Sequence, residues 1–270
     1  MKRILLLAGL FLSVASIYAE DAPFKEGEIL KYNINYKWGL VMMKAGTANY
    51  TITKGHYGNS RTYKTALDFR TSSFFDGIFK VRDTLFSHIS TDLEPLYNVR
   101  RINEGKTRFW EEIFVQAHSE NYTKVRVKRQ NPETVKFDTT LVSDNAGYDI
   151  LSIFTFARTL DYSKVKQDQT FHISSFVGKD RVSITVHFKG QAVIEKNEHV
   201  KYKAYLLVID IGDAVFNESK NAMEVWVSDD KNHVPLKLKA KLKIGAAEAT
   251  LTSWQNLKYP FTSEVKISNR

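Results

Sequence analysis

Apolar and polar residues alternate along most of this chain, and that alternation constrains its fold more than any other feature. It is clear in residues 29–36, it recurs in residues 234–244, and similar runs fill most of the interval between residues 29 and 257. Strict alternation is typical of a β-strand that is buried on one face only. The sequence therefore predicts a mainly β protein.

A series of short antiparallel strands leaves exposed sheet edges, which proteins commonly avoid by curling the sheet. We therefore predict strongly curved antiparallel sheet structure that forms a barrel or half-barrel, with a two-sheet β-sandwich as the alternative. The chain has 270 residues, enough for one large domain. We predict a single β-rich domain over residues 20–270, and the alternative is two β halves joined near residues 145–166.

Helical spacing of apolar residues occurs in one segment and predicts one main α-helix near residues 149–161. The periodic positions are Ile150, Ile153, Phe154, Ala157 and Leu160. We expect this stripe to pack on the sheet, and Asp149 to cap the helix or lie in its first turn. A shorter helical turn is predicted at residues 71–77, with its two phenylalanines in the core.

The first nineteen residues have the pattern of a secretory signal peptide. Lys2 and Arg3 precede an apolar run of about fourteen residues, which is shorter than the ~20 that a membrane-spanning helix needs. Cleavage is expected after Ala19, and an uncleaved anchor is the alternative. The chain has no cysteine, so no disulfide contributes to its stability. We therefore expect an exported protein, soluble after cleavage, in the periplasm or cell envelope.

Basic residues outnumber acidic ones, 39 to 30. In an exported protein this excess argues against nucleic acid as a partner. A positive face could meet anionic lipid headgroups or acidic glycans, and the alternative, which the composition favours, is that the charges only solvate the surface. Along residues 236–244 the lysines share one face of a predicted strand, which could contact an anionic membrane surface. Alternatively, these lysines only keep the strand soluble. The lysines are Lys237, Lys239, Lys241 and Lys243.

Motifs for catalysis are absent from the sequence. The seven histidines form no closely spaced ligand pair of the kind that seeds a zinc site, and there is no phosphate-binding glycine loop or nucleophile elbow. Glu111 and Glu112 are adjacent, but neighbours on a strand point to opposite faces, so they cannot flank one bond. We therefore predict no metal, no cofactor and no catalytic site.

Three stretches resemble a family of exported bacterial proteins, the domain-of-unknown-function family 3108. They are residues 24–52, which contain Gly27-Glu28 and Ala45-Gly46, residues 81–100, which contain Asp83, Asp92 and Pro95, and residues 225–245. Together they cover almost the whole predicted mature chain. The resemblance implies a mostly antiparallel β domain in the envelope, and it brings no established activity.

The leading functional prediction is a non-enzymatic envelope protein that binds an apolar or amphipathic molecule, such as a lipid, in the concave face of its sheet. Trp38, Trp110 and Trp226 are the predicted wall residues, with Arg100 or Arg108 to anchor an anionic group. One alternative is a structural or protein-interaction protein with a filled core.

A second alternative is a hydrolase that acts on envelope polymers. Such an enzyme needs convergent carboxylates, for which the sequence offers one local cluster, Glu224, Asp229 and Asp230. The same segment, residues 228–233, also reads as a hairpin turn between two strands, because Asp and Asn suit such turns.

Overall fold

The computed structural model describes residues 22–197, 199–212, 219–242 and 244–266. The predicted signal peptide lies outside the described residues. The described chain contains two helices, α1 (Ser73–Asp76) and α2 (Ile150–Thr159). The strands are β1 (Ile29–Trp38), β2 (Val41–Tyr57), β3 (Ser60–Thr71), β4 (Arg82–Ser90), β5 (Pro95–Glu104), β6 (Thr107–Ser119), β7 (Tyr122–Gln130), β8 (Val135–Ser143), β9 (Gly147–Tyr148), β10 (Thr170–Val177), β11 (Asp180–Asn197), β12 (Val200–Gly212), β13 (Ser219–Ser228), β14 (Pro235–Lys241), β15 (Ala246–Gln255) and β16 (Glu264–Lys266).

All the strands belong to one sheet. Its order is β8-β7-β6-β5-β4-β3-β2-β1-β15-β14-β13-β12-β11-β10-β9, and β16 adds to β12. The pairs are antiparallel except β9–β10, which is parallel. Strands that follow one another in the chain are therefore neighbours, except β8 and β9, which lie at the two ends of the order, and β15 and β16. The pairing of β1 with β15 joins the two ends of the chain into one continuous surface.

The sheet curls until its two edges meet. At this seam the Ser143 hydroxyl of β8 donates to the Ser174 hydroxyl of β10 at 2.8 Å. Phe176 of β10 is buried against Ile113, Val125 and Val127 of β6 and β7. The predicted barrel-like antiparallel fold is confirmed, and the two-sheet sandwich alternative is not what forms.

Helix α2 follows β9 and packs on the concave face of the sheet. It begins where predicted, because Asp149 caps it by accepting from the backbone N–H groups of Leu151 and Ser152. The predicted buried stripe is confirmed in part: Leu160 is fully buried and Ile153, Phe154 and Ala157 pack on the core, but Ile150 is 45 % exposed. The buried side chains of the helix are Leu151, Ser152, Thr155, Phe156, Arg158 and Thr159. No helix among the described residues is long and apolar enough to cross a membrane.

A fully buried ion pair fixes α2 inside the sheet. The Arg158 guanidinium binds both carboxylate oxygens of Glu28, and it also donates to the backbone carbonyl of Asn232 at 3.0 Å. Neither Arg158 nor Glu28 has any exposed surface. The ring of Phe24 lies 5.2 Å from the guanidinium carbon. These contacts join the helix to the chain before β1 and to the β13–β14 turn.

Candidate functional site

The residues predicted to line a ligand cavity lie in four separate places. Trp38 is at the tip of the β1–β2 hairpin and is 65 % exposed. Trp110 and Arg108 lie on β6 and point away from the concave face, whereas Arg100 of β5 points into it. Trp226 lies on the outer face of β13, half-buried, with the Lys239 amine 5.9 Å from its ring centroid. The fold does not bring these side chains together.

The interior holds helix α2 and core side chains where the sequence predicted a ligand. Leu151 packs with Leu30, Tyr50 and Ile52 on one side of the helix. Phe156 packs with the buried residues of β10 to β13 on the other side. Helix α2 and these core side chains therefore pack together on the concave face.

Arg100 belongs to a charged cluster inside the sheet. Its guanidinium lies 3.2 Å from one oxygen of Glu111, and Arg129 donates to the other oxygen at 2.7 Å. Glu111 is fully buried, while Glu112 lies on the outer face. The two glutamates therefore point to opposite faces, as predicted. Nearby, burial and a hydrogen bond with Asp83 raise the pKa of Glu104.

Within the cluster predicted for a hydrolase, the Asp230 carboxylate holds a turn together. One oxygen of Asp230 accepts from Ser228 and Asn232, and the other accepts from the backbone and hydroxyl of Ser263. These bonds connect the end of β13 to the chain after β15. Because β13 and β14 pair antiparallel on either side of residues 228–233, the predicted hairpin turn is confirmed. Glu224 faces outward, 4.0 Å from the Lys239 amine.

The predicted lysine ladder is not uniformly basic. Lys237 is 2.9 Å from Glu248, and Lys239 is near Glu224. Lys241 is exposed at the end of β14, and Lys243 lies outside the described residues. Two of these lysines are thus balanced by carboxylates on neighbouring strands.

Exposed apolar side chains concentrate at one end of the sheet, on three hairpin tips that are consecutive in the strand order. Nine of the sixteen large apolar residues exposed in the described chain lie there, each exposing between 48 and 101 % of its surface. We call this set the apolar rim. Its members are Trp38, Leu40, Val41 and Met42 on β1–β2, Phe74, Ile78 and Phe79 on β3–β4, and Leu242 and Ile244 on β14–β15.

The tips of the apolar rim are joined by hydrogen bonds. The Ser72 N–H donates to the Ala45 carbonyl at 2.8 Å, and the Tyr36 hydroxyl donates to the Ile244 carbonyl at 2.9 Å. Gly245 has φ +74°, and a Cβ there would lie 2.2 Å from the Lys37 carbonyl oxygen. Only glycine therefore allows the β14–β15 turn to approach β1 so closely.

The β3–β4 loop presents its apolar residues from an ordered frame. The predicted helical turn is present as α1, capped by Ser72, and Arg82 binds Asp76 at its end. That hydrogen-bonded pair lowers the pKa of Asp76 to about 2. The prediction that both phenylalanines are core is wrong, because Phe74 is 66 % exposed and Phe75 is only half-buried.

The hairpin tips of the apolar rim carry more positive than negative charge. Residues 36–44, 70–81 and 240–246 contain one carboxylate, Asp76, which Arg82 engages. Four exposed lysines accompany the apolar rim, and they are Lys37, Lys44, Lys80 and Lys241. The tips therefore combine apolar side chains with a positive border.

Sequence reasoning missed the apolar rim, although a signal was present. The runs WGLVMM at residues 38–43 and FFDGIF at residues 74–79 place apolar residues around a turn glycine. Hairpin turns usually carry polar residues such as Asn, Asp and Ser. Apolar residues at predicted turns were therefore the pattern to notice.

A second surface feature lies on the outer face of β4 to β7, away from α2. It is a groove of about 410 Å³, which we call the outer-wall groove. The Tyr97 hydroxyl donates to Glu112 at 2.5 Å within it. Its lining residues are Phe86, Tyr97, Val99, Arg101, Trp110, Glu112 and Gln130.

Within the described residues, no group of three or more His, Asp or Glu side chains is arranged to hold a metal ion.

A search of curated proteins finds no match. Among solved structures, the chain resembles a crystal structure described as a beta-barrel-like protein of domain of unknown function DUF1849 from Brucella abortus. The TM-score is 0.57 at 11 % identity, and the match covers 85 % of this chain and 97 % of that one.

That likeness concerns the fold alone, because the identity is low. A family model described as a protein of unknown function, DUF3108, matches residues 31–252. This interval runs from β1 to β15 and includes α2. The chain therefore belongs to the DUF3108 family.

Proposed function

We propose that this protein is an exported, non-catalytic envelope protein that docks on an anionic membrane surface through the apolar rim. The observation that carries the proposal is the concentration of nine exposed apolar side chains on three adjacent tips. Soluble proteins seldom expose contiguous apolar patches unless the patch meets a partner or a membrane. In this proposal the amphipathic envelope molecule is lipid at the rim, and it does not enter the concave face.

The shape of the tips favours a membrane over a protein partner. Leu40 is fully exposed and projects at the end of its hairpin, with Trp38 beside it. A projecting apolar tip can enter the boundary between headgroups and acyl chains without a complementary pocket, and Trp is enriched at that depth. A protein partner would have to provide a matching socket for each of three tips.

The charge of the tips favours an anionic surface. Lys37, Lys44, Lys80 and Lys241 border the apolar residues and would meet lipid headgroups when the tips insert. Each lysine near such a surface contributes about 1 kcal/mol. The attraction should weaken as salt screens it, because the Debye length falls to about 8 Å at physiological ionic strength.

Cosedimentation with vesicles tests the proposal, using the predicted mature chain from Glu20 onward. We expect binding to vesicles of phosphatidylglycerol and phosphatidylcholine, and weaker binding to phosphatidylcholine alone. Leu40→Asp and Ile78→Asp each remove an inserted apolar side chain, worth about 1.5–3 kcal/mol when fully buried, so each should weaken binding about tenfold or more.

Val193→Asp is the matched control, because Val193 of β11 is 63 % exposed but lies outside the apolar rim. It should bind vesicles as the unchanged protein does, and all three variants should keep the same melting temperature. If the unchanged protein ignores anionic vesicles, or if Leu40→Asp binds as well as Val193→Asp does, the proposal is wrong.

A further inference from the structure

The outer-wall groove is unusual because large aromatic residues occupy the solvent side of the sheet. Phe86, Tyr97 and Trp110 lie on three adjacent strands. The Tyr97 ring also contacts the rings of Tyr57 and Phe114, whose centroids lie 5.2 and 5.0 Å from its own. Helix α2 and the core clusters lie on the opposite face. These rings are therefore not required to fill the interior.

Polar groups in the groove include both donors and acceptors. Arg101 can only donate, Glu112 can only accept when ionised, and the Gln130 amide can do both. The Tyr97 hydroxyl orients Glu112 by donating to it at 2.5 Å. Small-ligand sites usually combine apolar walls with a few such polar groups. A ligand that has apolar faces and hydroxyl groups at its edges matches this lining.

Cations outnumber carboxylates around the groove. The Lys64 amine and the Arg101 guanidinium lie 4.7 and 5.6 Å from the centroid of the Phe86 ring. Lys128 lies opposite Glu112 on the next strand. On the same wall, Arg126 is paired with Asp138. The local excess of positive charge favours a ligand that carries a carboxylate or a phosphate.

A peptide strand fits this surface less well. Strands that bind peptides by β-augmentation use an open sheet edge, whose backbone groups are unpaired. β4, β5, β6 and β7 are each paired on both sides, so the groove offers no such edge. Recognition there must use side chains, which suits a ring that is stacked on aromatics and held at its edge by hydrogen bonds.

We propose that the outer-wall groove binds an acidic saccharide. A sugar ring stacks on Trp110 and Tyr97, its hydroxyl groups bond Glu112 and Gln130, and its carboxylate or phosphate lies beside Arg101. This site is independent of the apolar rim. The same chemistry is offered by a free oligosaccharide and by the headgroup of an acidic glycolipid.

The test is a titration of the predicted mature chain with a soluble hexuronic-acid disaccharide, followed by NMR of the tryptophan indole N–H signals. We expect saturable shifts of the Trp110 signal, and binding of a neutral disaccharide about tenfold weaker. Trp110→Ala and Arg101→Ala should each weaken binding of the acidic sugar about tenfold. Arg101 is exposed, so its replacement leaves the fold intact.

Trp226→Ala is the matched control, because Trp226 is, like Trp110, a half-buried tryptophan on the outer face, but it lies outside the groove, beside Lys239. It should bind the sugar normally. The proposal is overturned if no saturable binding occurs, if Trp226→Ala loses as much affinity as Trp110→Ala, or if the neutral sugar binds as tightly as the acidic one.

Vesicles that carry an acidic glycolipid distinguish the two sources of the sugar. If the headgroup is the ligand, Arg101→Ala should lower binding to these vesicles but not to phosphatidylglycerol vesicles. If a free saccharide is the ligand, Arg101→Ala should affect only the soluble titration. Loss of vesicle binding in Leu40→Asp, with the soluble titration unchanged, would separate the rim from the groove.

Discussion

The interior around α2 differs from the apolar rim in how it departs from the usual distribution of residues. The interior buries polar side chains, whereas the rim exposes apolar ones. Inside, the helix buries Arg158, Ser152 and Thr155, and its cap Asp149 is buried as well. At the rim, nine large apolar side chains are exposed. Buried polar groups and exposed apolar patches are the informative exceptions in a folded protein. The two regions differ in where their partners are.

The buried polar side chains of α2 and its cap have partners within the chain. Asp149 accepts from Ser87, Asn98 and Ser152 as well as from backbone N–H groups, and Arg158 is matched by Glu28. The rim side chains instead project from tips that the rest of the sheet does not cover. A buried polar group whose hydrogen bonds are made within the chain stabilises the fold. An exposed apolar patch that the sheet leaves uncovered indicates a partner outside the chain. We therefore assign structure to the first region and docking to the second.

Removing the buried cation should have the largest effect. Arg158→Met leaves the Glu28 carboxylate buried without its partner, so we expect a loss of about 3–5 kcal/mol in the free energy of unfolding. Urea denaturation measures it. The double variant Glu28→Leu with Arg158→Met removes both charges and should regain much of the loss. If the single and double variants are equally unstable, the ion pair is not the cause.

A smaller effect is expected at the helix cap. Asp149→Ala removes the acceptor for two helix N–H groups and leaves Ser87 and Asn98 without it, so we expect a loss of about 2 kcal/mol. Thermal and urea unfolding measure it. A loss below the error of the measurement would show that the cap is dispensable.

The pH dependence of Asp149 provides an independent check of its burial. Burial raises its pKa above the ordinary 3.8. A raised pKa contributes stability that is present below pH 3.8 and is lost as the pH rises through the folded-state value. The unchanged protein should therefore lose stability relative to Asp149→Asn as the pH rises above 3.8. A constant difference between the two across this range would contradict the shift.

The smallest effect is expected at the rim itself. The pKa of Asp76 is lowered from 3.8 to about 2, chiefly by its hydrogen bond with Arg82. A lowered pKa contributes stability above pH 3.8 that is lost as the pH falls towards 2. Acidification through this window should loosen the β3–β4 loop, with NMR shifts at Phe74 and Phe79, and Asp76→Asn should remove the change. Equal titration curves for both proteins would contradict this.

Much of the fold follows from local pattern. The alternation in the chain predicts the strands, and the periodic segment predicts α2 together with its cap at Asp149. The opposite orientation of Glu111 and Glu112 follows from strand geometry alone. The turn before Pro235 follows from its Asp and Asn residues. Each of these properties depends on residues that are neighbours in sequence.

The burial of Arg158 and the exposure of Ile150 on α2 could not be predicted in that way. Arg158 is buried because Glu28 and Asn232, which lie far away in sequence, supply the partners that make burial of a guanidinium favourable. Apolar periodicity alone selects the most apolar face of a helix. Apolar periodicity contains no information about a polar partner that is distant in sequence.

The sequence by itself determined that the chain forms curved antiparallel β structure with one principal helix, because strand and helix periods are local properties. Only the tertiary structure decided the positions of Trp38, Leu40 and Phe74. Their apolar character predicts burial, and yet strand order gathers their hairpins at one end, where no other element of the described chain covers them. Exposure depends on what packs above a residue, and that is a property of the whole fold.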